Sequence, residues 1–324
     1  PEVVLPFHPN GMLFEGLKGD EVVDSWTIYS VGGGALANEA SRLETPRSIY
    51  PLSTISEIKE WCYHEGKTFW EYVSDCEGPE IWDYLDTVWE TMCATIQRGL
   101  NNDGVLPGGL KVARKASTYW VKSKSYTDSL SSRAKIYAYA LATSEENASG
   151  GTVVTAPTCG SSGVMPAVLY HLSTSRNFLR IRILRALATA GLFGNVAKTN
   201  SSISGAEVGC QGEVGVACAM AAAAACQLFG GTPSQIEYAA EMGLEHHLGL
   251  TCDPVCGLVQ VPCIERNAIA AARAFDANAY ATLSDGSHMV SFDKVVEVMN
   301  ETGHALPSLY RETSEGGLAK RFKR

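Results

Sequence analysis

The chain has 324 residues, 45% hydrophobic and 19% charged, an ordinary globular balance with material for one large domain or two smaller ones. Its net charge is −9 and its longest basic cluster is the tail Lys320-Arg321-Phe322-Lys323-Arg324, which argues against nucleic acid as a partner. No apolar run is long enough to span a bilayer, and ten cysteines are too dilute for a secreted disulfide scaffold, so the expectation is a protein of the reducing cytoplasm with no membrane partner.

From Val3 to about Ser30 the pattern is one of short strands, with a turn at Lys18-Gly19-Asp20 between Met12-Leu13-Phe14 and Glu21–Ser30. This predicts a β-hairpin. The chain opens at Pro1 inside a strand-like apolar run, and a lone hairpin buries no apolar face by itself. The expectation is a segment or a partner that precedes or covers it. Gly32-Gly33-Gly34 and the turn-rich stretch Pro46–Pro51 place a boundary within residues 35–54.

Helical signals follow, beginning at Ser53-Thr54-Ile55-Ser56-Glu57, where a hydroxyl residue precedes an acidic first turn. The pattern predicts helices over Ile55–Glu65, Lys67–Cys76, Ile81–Gly99, Ala134–Asn147 and Val164–Leu172. It predicts more over Leu179–Asn195, Glu213–Phe229, Pro233–His247, Ile264–Ala279 and Phe292–Thr302. The segment Glu213–Phe229 is apolar almost all round, with a run of alanines, and such a helix belongs at the centre of a bundle. The fold class expected is mainly α, a helical bundle domain over 55–324 preceded, over 1–34, by a short β-hairpin remnant of an α/β domain.

Polar, glycine-rich connections separate the helices: Gly104–Lys111, Ser149–Gly163 and Lys198–Gly205. The last two run into helix starts, whose free N–H groups and hydroxyls suit a carboxylate or phosphate. Thr158, Ser161 and Ser162 on one loop, with Asn200, Ser202 and Ser204 on the other, are the candidate substrate-binding residues.

Cys210, Cys252 and Cys263 each sit in a short polar stretch punctuated by glycine or proline, and are candidate metal ligands. Three thiolates hold an iron–sulfur cluster while leaving one iron free for a substrate oxygen. Their wide separation, 210 to 252 to 263, is unlike the compact spacing of zinc or ferredoxin sites. Cys218 and Cys226, inside the alanine run, read as small core residues, as do Cys62, Cys76 and Cys93. Cys159 and Cys256 stand beside glycines in loops near the other motifs. Glu207 and Glu213 flank Cys210, and Arg266 follows Cys263, so these three are expected to orient the thiolates.

The stretches Asn200–Glu213, Glu245-His246-His247-Leu248-Gly249-Leu250-Thr251-Cys252-Asp253-Pro254 and Val261–Asn267 resemble those of the iron–sulfur-dependent L-serine dehydratases, also called L-serine ammonia-lyases. The likeness extends over Gly104–Ala116, Asn147–Gly163 and Tyr310–Ala319, and so over nearly the whole chain. It implies a largely helical catalytic domain with a smaller α/β domain on its N-terminal side, of which residues Leu5–Gly34 resemble the last strands. It also implies a 4Fe-4S cluster on Cys210, Cys252 and Cys263 whose open iron takes the substrate hydroxyl, and conversion of L-serine to pyruvate and ammonia. His246 matches the family's Glu-His-x-Leu-Gly-Leu-Thr-Cys pattern and is the candidate base for the Cα proton. The partners expected are an amino-acid substrate, an N-terminal domain or beta subunit, and a second copy in a homo-oligomer. L-threonine or L-cysteine are alternative substrates.

The rival reading is a pyridoxal-phosphate β-eliminase, with Lys111 or Lys198 as Schiff-base lysine and Gly160–Gly163 cupping the phosphate. It leaves the cysteine motifs unexplained. A non-enzymatic iron–sulfur sensor is the remaining alternative, and predicts a cluster without ammonia release.

Overall fold

The computed structural model describes residues 5, 7, 11–32, 35–38 and 49–322. Residues 39–48 of the expected boundary 35–54 and the expected strand near Val3 lie outside these residues.

The N-terminal part is a small antiparallel sheet of order β1-β2-β3, formed by β1 Gly11–Lys18, β2 Glu21–Gly32 and β3 Ala35–Ala37. The hairpin register pairs Met12 with Ile28 and Phe14 with Trp26, and a bulge falls between Gly16 and Leu17 beside the turn. The sequence foretells this hairpin but not β3, which is too short to carry an alternation of its own. Along β1 almost every side chain is exposed, whereas Ile28 and Tyr29 of β2 and Ala37 of β3 are buried. The sheet is therefore anchored at one end only.

Thirteen α-helices follow among the described residues, beginning with α1 Ile55–Glu65, α2 Phe69–Glu77, α3 Ile81–Leu100 and α4 Ala116–Ser123. Next come α5 Asp128–Ala148, α6 Val164–Arg176, α7 Arg180–Asn200 and α8 Gly205–Val208. The last are α9 Val216–Leu228, α10 Pro233–Glu245, α11 Cys263–Leu283, α12 Phe292–Ala305 and α13 Gly317–Arg321. Thr54 and Glu57 close a reciprocal capping box at the start of α1, and Thr232 and Gln235 do the same for α10. The mainly α class is as the sequence indicates.

The alanine-rich α9 lies at the centre, packed by α6, α7, α10 and α11. Ala217, Ala219, Ala221–Ala225, Cys218 and Cys226 on it are sealed from solvent. Small side chains allow four neighbours to close on one helix, and no polar face is left to point outward. Glu213 is not part of α9, however. Residues Gln211–Gly215 form one π turn ahead of it, a widened turn of the kind found where a helix makes room for a site.

Two other expectations shift. Helix α7 runs on to Asn200, five residues beyond its expected end, so Asn200 closes a helix rather than opening a loop. Helix α4 has no strong helical signal in Ala116–Ser123, which is rich in aromatic and hydroxyl residues. Its start is held from outside: the Glu145 carboxylate of α5 accepts from the N–H groups of Lys115, at 2.7 Å, and Ala116, at 3.3 Å. No helix among the described residues is long and apolar enough to cross a membrane.

Candidate functional site

Four separate pieces of chain, joined by Glu312 from the C-terminal segment, bring ionisable side chains to one place. The first is the turn from α8 into the π turn. Gly209 stops α8 with φ 77°, in the left-handed region, where a Cβ would also stand 2.8 Å from the Leu250 carbonyl. This sharp exit points Cys210 inward and puts Glu213 one π turn further on. The second piece is the loop before Pro254 with Cys252, and the third is the start of α11 with Cys263. The fourth is the loop 158–160 leading to α6.

Together they enclose a cavity of about 190 Å³ lined by Cys210, Cys252, Cys263, Thr158, Ser204 and Glu213. Ser30 at the anchored end of β2, Cys159, Gly160 and Glu312 complete its wall. The three cysteines are 2%, 4% and 9% exposed, so each thiol faces the cavity rather than open solvent.

Their acidities differ. The Cys252 thiol hydrogen-bonds Cys210 and, with the Arg266 guanidinium nearby, holds Cys210 down at about 7 against the pull of burial. The same contact and burial push Cys252 above its ordinary value. Burial pushes Cys263 up to about 12, as it does Cys218 in the core of α9. Cys210 is thus the thiol readiest to ionise.

Glu213 bridges the two sides of the cavity. One of its carboxylate oxygens accepts from Thr158 Oγ1 at 2.9 Å, and the other stands 3.8 Å from Cys252 Sγ. Burial, with the Cys210 charge, pushes its carboxyl up to about 8. Arg266 ties the second piece to the third, donating to the Thr251 carbonyl at 2.6 Å and standing 3.7 Å from Asp253. Asn267, one turn into α11, fixes the fourth. Its side-chain oxygen accepts from Gly163 N at 2.9 Å, and its amide donates to the Gly160 and Cys263 carbonyls at 2.8 and 2.9 Å.

The structure therefore gathers Cys210, Cys252, Cys263, Thr158, Ser204 and Glu213 in one cavity, with Arg266 against Cys210. It does not gather the rest. The Ser161 hydroxyl turns inward to Thr158 at 3.1 Å, and the Ser162 hydroxyl is buried with no hydrogen-bond partner among the described residues. Ser202 accepts from the Ser204 N–H at 3.0 Å, supporting the wall without lining it. The Asn200 amide caps the Ser53 and Val196 carbonyls at 2.7 and 3.1 Å. The Glu207 side chain is exposed.

His246 also stands elsewhere. Its side chain is exposed, its ring Nδ1 lies 2.9 Å from the Met242 carbonyl, and it borders a separate groove with Glu241, Arg273 and Tyr280. His246 ends α10 as a cap, a common use of histidine at a helix C-terminus. Sequence reasoning missed Glu312 and Asn267, although each falls within a motif stretch; neither has a neighbour in sequence that signals its role. Among the described residues no three His, Cys, Asp or Glu side chains converge closely enough to share one metal ion.

A helical protein with three buried, non-contiguous cysteines around one polar cavity defines a narrow class. Residues 33–319 match the family model described as serine dehydratase alpha chain. The chain is 47% identical to L-serine dehydratase 1 of Escherichia coli (strain K12) over 97% of its own length and 72% of that protein. It is 46% identical to the L-serine dehydratase of Streptomyces coelicolor over 97% of this chain and 72% of that one. The L-serine dehydratase of Helicobacter pylori is 38% identical, over 98% and 73%. The chain belongs to the serine dehydratase alpha-chain family.

Proposed function

We propose that this chain is an L-serine ammonia-lyase that converts L-serine to pyruvate and ammonia, with Cys210, Cys252 and Cys263 holding a 4Fe-4S cluster. The observation that carries the reading is the convergence of these three cysteines, scattered over the sequence, on the wall of one cavity. The donor set fits a cluster. Three buried thiols on the wall of one cavity are the donor type that an iron–sulfur cluster takes. The cavity is also cleared for a bulky group: a Cβ on Gly205 would stand 2.6 Å from Glu213 Oε2 and 3.0 Å from Cys252 Sγ. When bound, the cluster supplies a Lewis acid for the departing β-hydroxyl of serine.

The chain's own residues do the remaining work. Thr158 and Ser204 border the cavity with hydroxyl side chains, that of Thr158 donating to Glu213. Arg266 and Glu213 hold the thiols in place, since partners of this kind fix ligand orientation. Burial of the cavity excludes bulk water, so that the enamine formed by elimination hydrolyses to pyruvate after leaving the site. The base for the Cα proton must line the cavity, and His246 does not.

The pyridoxal-phosphate reading needs a lysine amine in the site. Lys111 and Lys198 are both exposed, and neither borders the cysteine cavity. Residues 1–34 are proposed as the end of an N-terminal domain and 55–324 as the catalytic domain, with 35–54 as linker. The partner of the exposed hairpin is then that domain or a beta subunit, in an assembly that includes a second copy of the chain.

Anaerobic purification followed by iron and sulfide analysis, with a pyruvate and ammonia assay on the same sample, tests the reading. Bound iron and sulfide with serine-dependent ammonia release are expected. A protein that deaminates serine with no iron, or with an aldimine absorption band, overturns the cluster assignment.

A further inference from the structure

Cys159 borders the same cavity as Cys210, Cys252 and Cys263, whereas Cys256, the other loop cysteine near the motifs, does not. The backbone on each side of Cys159 is pinned to the cavity. Thr158 Oγ1 donates to Glu213, the Gly160 carbonyl accepts from the Asn267 amide, and a Cβ on Gly160 would stand 3.2 Å from Glu213 Oε1. The Cys159 carbonyl accepts from Ser162 N at 3.2 Å. The thiol itself makes no hydrogen bond among the described residues, and the residue is exposed. A side chain that both borders the cavity and meets solvent stands at its opening, and this one is free to turn about its own bonds.

The other three cysteines are held more firmly, and all are buried. The C-terminal segment 308–318 is laced to the loop that carries Cys252: Cys252 N donates to the Tyr310 carbonyl at 2.8 Å, and Glu312 N donates to the Cys252 carbonyl at 2.6 Å. Cys263 is tied through its carbonyl to Asn267, and the Cys210 thiol meets that of Cys252. A 4Fe-4S cluster takes four thiolates when they are offered, and three leave one iron open. We propose that Cys159 is the fourth thiol of this set and an exchangeable one: at rest it caps the iron left open by the three buried cysteines, and the substrate displaces it. This rests on the reading above, in which the cavity holds such a cluster. Cys159 is the exchangeable member because substrate and solvent arrive on its side. The step is a ligand exchange without change of oxidation state. The bond from Cys159 Sγ to iron breaks as the substrate hydroxyl takes its place, and the freed thiolate takes up a proton from solvent.

Thiol labelling reads this contact apart from turnover. The anaerobically purified, iron-loaded protein is treated with N-ethylmaleimide, with and without excess L-serine, and Cys159 is followed by peptide mass mapping. Labelling of Cys159 should be at least about threefold faster with L-serine, because only the uncapped fraction reacts. Cys159→Ala removes the cap, so on exposure to air the paramagnetic signal of the three-iron cluster should appear at least about threefold sooner than in the unaltered protein, and KM for L-serine should fall by a similar factor. Cys256→Ala should change neither. Iron-loaded protein whose Cys159 labels no faster with L-serine, or a Cys159→Ala variant that loses iron no sooner, overturns this inference alone. Protein that binds no iron or sulfide sinks the cluster assignment and this inference with it, and a capped, serine-responsive Cys159 in a protein that releases no ammonia keeps the inference and sinks the proposed activity.

Discussion

The β1–β2 hairpin and the cysteine cavity break the usual inside–outside rule in opposite senses. On the hairpin, large apolar side chains stand in solvent: Leu13, Phe14, Leu17, Val23 and Trp26 are all more than half exposed. In the cavity, ionisable groups are withdrawn from solvent: Cys210, Cys252 and Cys263 are buried and Glu213 is half-buried. Alternate residues of a strand face opposite sides, so both faces of the hairpin are apolar and bare. Covering one such side chain contributes about 1.5–3 kcal/mol, which the described residues forgo on both faces. The cavity bears the reverse cost, the burial of thiols and a carboxyl, offset in part by the Thr158, Arg266 and Cys252 contacts. A large exposed apolar patch and a buried polar cluster each mark a place where another molecule fits. The two meet at Ser30, where the anchored end of β2 closes the cavity wall. The exposed hairpin therefore adjoins the site.

The sharpest way to break this comparison is to treat a cavity cysteine as a core cysteine. Cys252→Ala should abolish iron binding and serine turnover, a loss beyond the roughly 10–100-fold that changes to mere outer partners cause, while Cys218→Ala should keep both. Iron analysis of the two variants checks it, and a full iron complement in Cys252→Ala would undo the assignment. Thr158→Val frees one oxygen of Glu213 and should lower iron affinity within that roughly 10–100-fold range, read by chelator competition.

Asn267→Ala leaves the Gly163 N–H and the Gly160 carbonyl without their partner and should lower stability by about 2–3 kcal/mol, measured by denaturant unfolding. On the hairpin, replacing Leu13, Phe14 and Trp26 by serine should move unfolding by no more than about 0.5 kcal/mol per site, since these positions are exposed. The same variant should reduce self-association in sedimentation; unchanged association would show that another surface joins the copies. Smallest of all, His246→Ala should leave kcat/KM for serine unaltered, because its ring borders a different groove. A collapse of turnover with iron intact would return the base to His246.

Much of the fold could be read along the chain because its signals are local. Thr54 and Glu57 announce α1 within four residues, Lys18-Gly19-Asp20 announces the hairpin turn, and the alanines of α9 announce a helix with neighbours on every side. The cysteines of the cavity stood apart from those of the core by their polar, glycine- and proline-marked surroundings. What escaped depends on distant partners. Helix α4 begins where the Glu145 carboxylate of α5 caps it, and α6 begins where Asn267 of α11 caps it. Neither cap is written near the helix it starts. His246 looked like a site residue because it matches the family pattern, and Asn200 because it was expected in a polar loop before a helix start, yet each turns to a backbone carbonyl outside the cavity.

The sequence by itself determined the helical class, the hairpin and the three cysteines, since periodicity, capping and the company a residue keeps are properties of short windows. Only the tertiary structure decided which polar side chains share the cavity. That choice depends on the left-handed exit at Gly209, the π turn before α9 and the lacing of 308–318 to Cys252, and each of these sets a direction in space that spacing along the chain does not encode.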